Sequence, residues 1–148
     1  FSRYGDVIAL KSRPDYIINQ GFCGRHHDLA NMDFAEGGQA GISLFDAEPR
    51  SLPYKLNMME RHPKGSQAFV PMQESPFLVI VAPDDDGHPD HPEAFLTKSQ
   101  TGVNIHKNIW HGVLTPLSMP GLFAVIDRIG NDTNLEEFWF DQHYIIIE

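Results

Sequence analysis

Backbone punctuation is what most limits the folds open to this chain. Eleven prolines and twelve glycines fall among 148 residues and leave little room for long helices. Between them lie short runs rich in β-branched and aromatic residues, at 6–10, 42–45, 67–72, 77–82, 94–97, 122–129 and 143–147. Clusters of Gly, Pro, Asp and Asn separate these runs and read as turns. The pattern predicts an all-β chain, a barrel or sandwich of short strands. One segment departs from it. At residues 134–140, Leu135, Phe138 and Trp139 have helical spacing and predict a short helix. With no internal repeat and no linker, the expectation is one domain over residues 1–148, truncated at its N-terminus because the first residue is Phe1.

Several function classes drop out on charge and composition. Twenty acidic residues against eleven basic ones give a net charge of -9, and the basic residues are scattered singly. A nucleic-acid partner requires a basic footprint, and a membrane surface requires a polybasic cluster. Neither is present. No apolar run approaches the roughly 18 residues that span a bilayer. Cys23 is the only cysteine, so no intramolecular disulfide forms and a reducing cytoplasm is the expected setting. Flanked by Phe22 and Gly24, Cys23 reads as structural rather than as a nucleophile. Residues 83–93 are the most polar stretch, with His88 and His91 among acidic groups. A solvated hairpin loop is the expectation there, and a metal site the alternative.

The eight histidines raise the question of which converge. In a strand, side chains alternate faces, so Glu60 and His62 point one way and Arg61 the other. A short loop at 63–66 follows, and Gln67 opens the next strand. The order E-x-H-x4-Q mirrors the cupin arrangement H-x-H-x4-E, in which polar side chains from adjacent strands enter a barrel. A second cupin segment supplies one more histidine after a glycine-containing turn. Here Gly102 begins a segment that ends at Trp110 and His111. The analogy predicts Glu60, His62, Gln67 and His111 facing one interior pocket; the alternative is that they are satisfied polar residues at strand ends.

A closer likeness covers residues 4–127. Tyr4-Gly5-Asp6-Val7-Ile8, Arg25-His26-His27-Asp28-Leu29-Ala30, Glu60-Arg61-His62-Pro63, Gln67-Ala68-Phe69-Val70-Pro71, Gly102-Val103-Asn104-Ile105-His106 and Trp110-His111 resemble the ureidoglycolate lyase family in order and spacing. That resemblance implies a homodimeric, cupin-like β-barrel. It implies a small-molecule substrate in allantoin breakdown, (S)-ureidoglycolate, split to glyoxylate and urea. It also implies a divalent metal, nickel being the one suggested, with Glu60, His62, Gln67 and His111 as its ligands. Compared with cupins generally, Glu60 and Gln67 replace a histidine and a glutamate. An amide is a weaker ligand than imidazole or carboxylate for first-row metals, so metal-free chemistry stays open.

Breaking the C–N bond of ureidoglycolate needs a base for the hydroxyl proton and an acid for the departing urea nitrogen. No covalent nucleophile is required, in keeping with the lack of a triad signature. His111 or His62 is the expected base, with Glu60 orienting it or returning the proton. Arg25, with the planar fork that fits a carboxylate, is favoured to bind the substrate, joined by His27 on the same strand face. For both, a surface ion pair with Asp28 is the competing expectation. Gln67, Asn104 and His106 complete the expected substrate contacts, though His106 has a capping role at the Gly102 turn as its alternative. Trp110 is expected to wall the pocket. His26 and His143 carry no motif and read as structural or exposed. Two other functions are weighed against the lyase: an amidohydrolase releasing ammonia from the same substrate, and a non-catalytic cupin-type domain binding a small organic acid.

Overall fold

A computed structural model describes residues 1–147. Its strands, in chain order, are β1 (Gly5–Ile8), β2 (Tyr16–Ile18), β3 (Cys23–Arg25), β4 (Gln39–Asp46), β5 (Tyr54–Arg61), β6 (Gln67–Pro71), β7 (Phe77–Ala82), β8 (Asp84–Asp85), β9 (His88–Pro89), β10 (Glu93–Leu96), β11 (Gly102–Ile105), β12 (Trp110–His111), β13 (Thr115–Pro116), β14 (Leu122–Ile129) and β15 (Glu136–Ile146). Sheet I has the order β1-β11-β6-β14-β4, and sheet II the order β10-β7-β12-β5-β15 with β13 also on β7. All pairings in both sheets are antiparallel. Apart from a 3-10 turn at Asn19–Gly21, the described residues hold no helix. The fold is all-β, as the Gly/Pro punctuation predicts, and fits the cupin-like β-barrel.

Alternation places the core. In sheet I, Phe69, Val103, Phe123 and Val125 point inward and meet Phe77, Val79 and Val81 from sheet II. Each fully buried side chain of this size is worth about 1.5–3 kcal/mol. β7 is buried on both faces, and its sequence is accordingly an unbroken apolar run. The opposite face of sheet II carries a second cluster, in which Leu78, Ile80 and Ala82 pack with Leu56, Met59 and Trp110.

The expected helix at 134–140 is a strand. β15 runs antiparallel along β5, with Phe138 opposite Met59 and Glu137 opposite Glu60. Phe138 and Phe140 stack at 5.3 Å and join the second cluster, while Trp139 between them is 64% exposed. Aromatic residues at period two, continuing into the β-branched Ile145 and Ile146, suit a pleated surface better than a helix. The edge of β5 also supplies a full set of backbone partners. The expected strand at 143–147 is the far end of β15, beyond a register shift between Trp139 and Tyr144. Residues 83–93 form the expected exposed hairpin, β8 against β9, turning at Asp86 and Gly87 with positive φ.

Candidate active site

The register of sheet II aligns three side chains in one row. His111 on β12 pairs with Glu60 on β5, which pairs with Glu137 on β15. Directly opposed residues share a face, and alternation puts His62 on that face too. The ligand atoms of Glu60, His62 and His111 all lie within 4.8 Å of one another. The two imidazole rings are 5.3 Å apart. Among the described residues this is the one grouping of His, Cys, Asp or Glu with metal-ligand spacing. His88 and His91 on the polar hairpin instead stack on Phe138 and Tyr144, so the alternative of a metal site there has no geometry behind it.

Backbone carbonyls fix both tautomers. His62 Nδ1–H donates to the Asn134 carbonyl at 2.7 Å, and His111 Nδ1–H to the Gly112 carbonyl at 3.0 Å. Each ring therefore turns its Nε2 lone pair to the shared hollow, and neither buried Nε2 has a protein partner. An unpaired buried polar atom costs about 1–3 kcal/mol, a cost that a ligand-binding site carries and a purely structural one avoids. His111 is 1% exposed. Burial, reinforced by neighbouring His62, lowers its pKa to about 4 against a weaker opposing bond to Gly112, so it is neutral at neutral pH. Glu60 is shifted upward, chiefly by burial and further by Glu137, with His62 pulling the other way.

Sheet I contributes a facing wall. Phe69 meets His111 edge-on at 6.5 Å. Gln67, two residues earlier on β6, points to the same side and is buried. Its Nε2 donates to Asp127 Oδ2 at 3.2 Å, which leaves Gln67 Oε1 and Asp127 Oδ1 buried and unpartnered.

The amino-acid sequence matches the family model for ureidoglycolate lyase over residues 1–147. The chain belongs to the ureidoglycolate lyase family. A "Ureidoglycolate lyase" of Rhodobacter capsulatus is 56% identical over 138 residues, covering 93% of this chain and 86% of that protein. A "Ureidoglycolate lyase" of a Chelativorans species is 48% identical, covering 99% and 89%. "Ureidoglycolate lyase 2" of Rhizobium meliloti is 49% identical, covering 97% and 89%.

Within this ureidoglycolate lyase family member, the structure brings together Glu60, His62 and His111 and sets Gln67 on the facing wall. Five other expected site residues lie elsewhere. Asn104 sits on the outer face of sheet I, where its Nδ2 donates to Asp6 at 2.9 Å and to the Asn31 carbonyl at 3.0 Å. His106 belongs to the same outer network, its Nε2 3.1 Å from Asp6. Their neighbours Val103 and Ile105 take the inner face, and alternation forces Asn104 outward. Arg25 and His27 lie on or beside the β2–β3 hairpin, away from both sheets. The expected ion pairs with Asp28 are not formed; His27 donates its backbone N–H to Asp15 and stacks on Tyr16.

Trp110 does not wall the hollow. It faces the opposite side of sheet II, where its Nε1–H donates to Asp84 at 2.8 Å and the Arg61 guanidinium covers its ring at 4.4 Å. Arg61 is further held by Asp84 and Glu136, on the side away from Glu60 as strand parity requires. Cys23 is exposed on the hairpin.

Three neighbours of the site were not singled out in the sequence. Asp127 has the parity of the inward Phe123 and Val125, a signal present in LFAVIDRI. Glu137 becomes visible only once β15 is recognised as a strand beside β5. Asn134 acts on His62 through a carbonyl, which no residue type announces.

Proposed function

We propose that the chain is one catalytic domain that cleaves (S)-ureidoglycolate to glyoxylate and urea. The observation that carries this is the meeting of two unpartnered imidazole Nε2 atoms with a half-buried carboxylate, their ligand atoms within 4.8 Å of one another, in a ureidoglycolate lyase family member. The substrate carries its hydroxyl and a urea nitrogen on one carbon. His111 or His62 accepts the hydroxyl proton at Nε2. The oxygen electron pair forms the aldehyde C=O, the C–N bond breaks, and its electron pair stays on the urea nitrogen. Glu60, whose burial favours its protonated form, donates the proton that nitrogen needs. The histidine then returns its proton to Glu60, which closes the cycle without a covalent intermediate.

The donor set also fits a divalent cation: two imidazoles with unpartnered Nε2 atoms, one carboxylate, and the amide oxygen of Gln67. Glu60, His62 and His111 would hold such an ion, nickel being one candidate, with Gln67 as a weak fourth ligand. Bound there, it would supply Lewis-acid polarisation of a substrate oxygen. The chain's own residues still fix both imidazole tautomers and keep water away from His111. We further propose a homodimer in a reducing cytoplasm. Among the described residues no helix is long and apolar enough to cross a membrane, and Cys23 is a free thiol.

The test is product analysis with purified protein and ureidoglycolate. Equal yields of glyoxylate and urea support the lyase. Ammonia in place of urea assigns an amidohydrolase instead, and binding without turnover assigns an organic-acid binding domain.

A further inference from the structure

A substrate with a carboxylate needs a cationic partner, and among the described residues the hollow supplies none. Arg61 is bound to Asp84 and Glu136 behind the sheet. Arg128 is bound to Asp132 and to the carbonyls of Ala35 and Glu36. Lys64 is paired with Asp132, and Lys107 with Asp33. The groups facing the hollow are instead acidic: Glu60, Glu137 opposite it, and Asp127.

The missing charge is on the β2–β3 hairpin. Residues 11–25 hold three basic residues and one acidic, against eight basic and nineteen acidic in the rest of the chain. Lys11 is paired with Asp15, while Arg13 and Arg25 form no ion pair among the described residues. The hairpin is also apolar and uncovered: Tyr16 is 54% exposed, Ile17 63% and Phe22 90%. Its strands pack on each other and on the turn between them. Asp15 closes its base by donating its backbone N–H to the Arg25 carbonyl at 2.9 Å and accepting that of His27 at 2.8 Å. It is a preformed arm that no other element among the described residues covers.

The chain enters the arm at the end of β1 away from its own site and rejoins the sheet beside Asp6 at Asn31. Gly5 pairs with Ile105, which pairs with Gln67, so the first residue of β1 is level with the hollow. Ile8 pairs with Gly102, and the chain exits toward the arm there, about 10 Å further along the strand.

We infer that the arm docks on a second copy of this chain and that Arg25 of the partner subunit enters the Glu60–His62–His111 hollow to bind the substrate carboxylate. A two-fold dimer makes this reciprocal, each site being completed by the other chain. The guanidinium fork pairs with the substrate carboxylate bidentately and, with no substrate, faces Glu137 and Glu60. The apolar residues of the arm are buried in the same step. This rests on the lyase reading, which wild-type turnover scores separately.

Complementation provides the test. Arg25→Ala and His111→Ala homodimers should each lose activity, the former by about 10- to 100-fold for a lost charged hydrogen-bonding partner. When the two chains are co-expressed with different tags and the mixed dimer is isolated, a site with intact His111 meets the other chain's intact Arg25. Activity then returns to about half of wild type, one site in two being whole. A mixed dimer no more active than its parents overturns the inference, as does full activity of Arg25→Ala. A second measurement needs no turnover. In a Cys23→Ser background, mixing Arg25→Cys chains with Glu137→Cys chains should give a disulfide-linked dimer on a non-reducing gel. A monomeric protein, or no such band, refutes the docking.

Discussion

Because His111 resists protonation when folded, the candidate site should weaken the protein in mild acid. The sign follows from where the proton goes. In the unfolded chain His111 takes up a proton below its ordinary value of 6.5, whereas the folded protein admits one only near pH about 4. Between these values the unfolded state holds more protons, so stability falls as pH falls and levels off below the folded pKa. The gap of about 2.5 units corresponds to about 3 kcal/mol at the plateau and about 2 kcal/mol at pH 5. Other groups titrate in the same range. Glu60, shifted upward, contributes with the opposite sign, since its folded form keeps a proton that the unfolded form has released. Comparison with His111→Gln, which does not titrate, isolates the histidine. Urea unfolding of both proteins, with chelator present, should show the wild type losing about 2 kcal/mol relative to the variant between pH 7 and pH 5, a midpoint shift near 1 M. If the two lose stability in parallel, His111 is not held neutral by burial.

Four further outcomes follow. Glu60→Gln should cut glyoxylate formation by about 10²–10⁴-fold with the fold intact by circular dichroism. Full activity after exhaustive chelation, with no metal found by elemental analysis, would leave the acid–base residues as the whole machinery; loss restored by one divalent ion would assign the Glu60–His62–His111 group as its ligands. Asp127→Asn, which lets the Gln67 amide turn over, should lower turnover about 10-fold while thermal stability changes little. Arg128→Met strands the carbonyls of Ala35 and Glu36 and should cost about 2–3 kcal/mol in urea unfolding without touching the reacting groups.

How much of this was legible depends on whether alternation alone decides the question. For Glu60, Arg61 and His62 it does: parity within one strand separates two inward groups from one outward, and the guanidinium stacks on Trp110 behind the sheet. The same rule, applied to Gly102-Val103-Asn104-Ile105-His106, sends Asn104 and His106 outward, because Val103 and Ile105 claim the core. Motif membership gave the opposite expectation, since a shared motif does not imply a shared face. Trp110 went the same way, being adjacent to His111 and therefore on the other side. The helix at 134–140 failed for a different reason. Three apolar residues at helical spacing cannot outweigh a strand edge needing partners, and the backbone of β5 is invisible in local sequence.

The site occupies the place where both sheets run out of apolar inward residues. Along β7 the inward side chains are Phe77, Val79 and Val81, all in the core. One pairing onward, Val81 meets His111, which in turn meets Glu60. On sheet I the inward Phe123 and Val125 give way to Asp127, and Phe69 to Gln67. The polar groups therefore collect at one end of a hydrophobic interior, where low dielectric magnifies each charge and packing fixes each side chain. That setting holds His111 neutral and shifts Glu60 in the direction of its acid form, the directions that a base and an acid need.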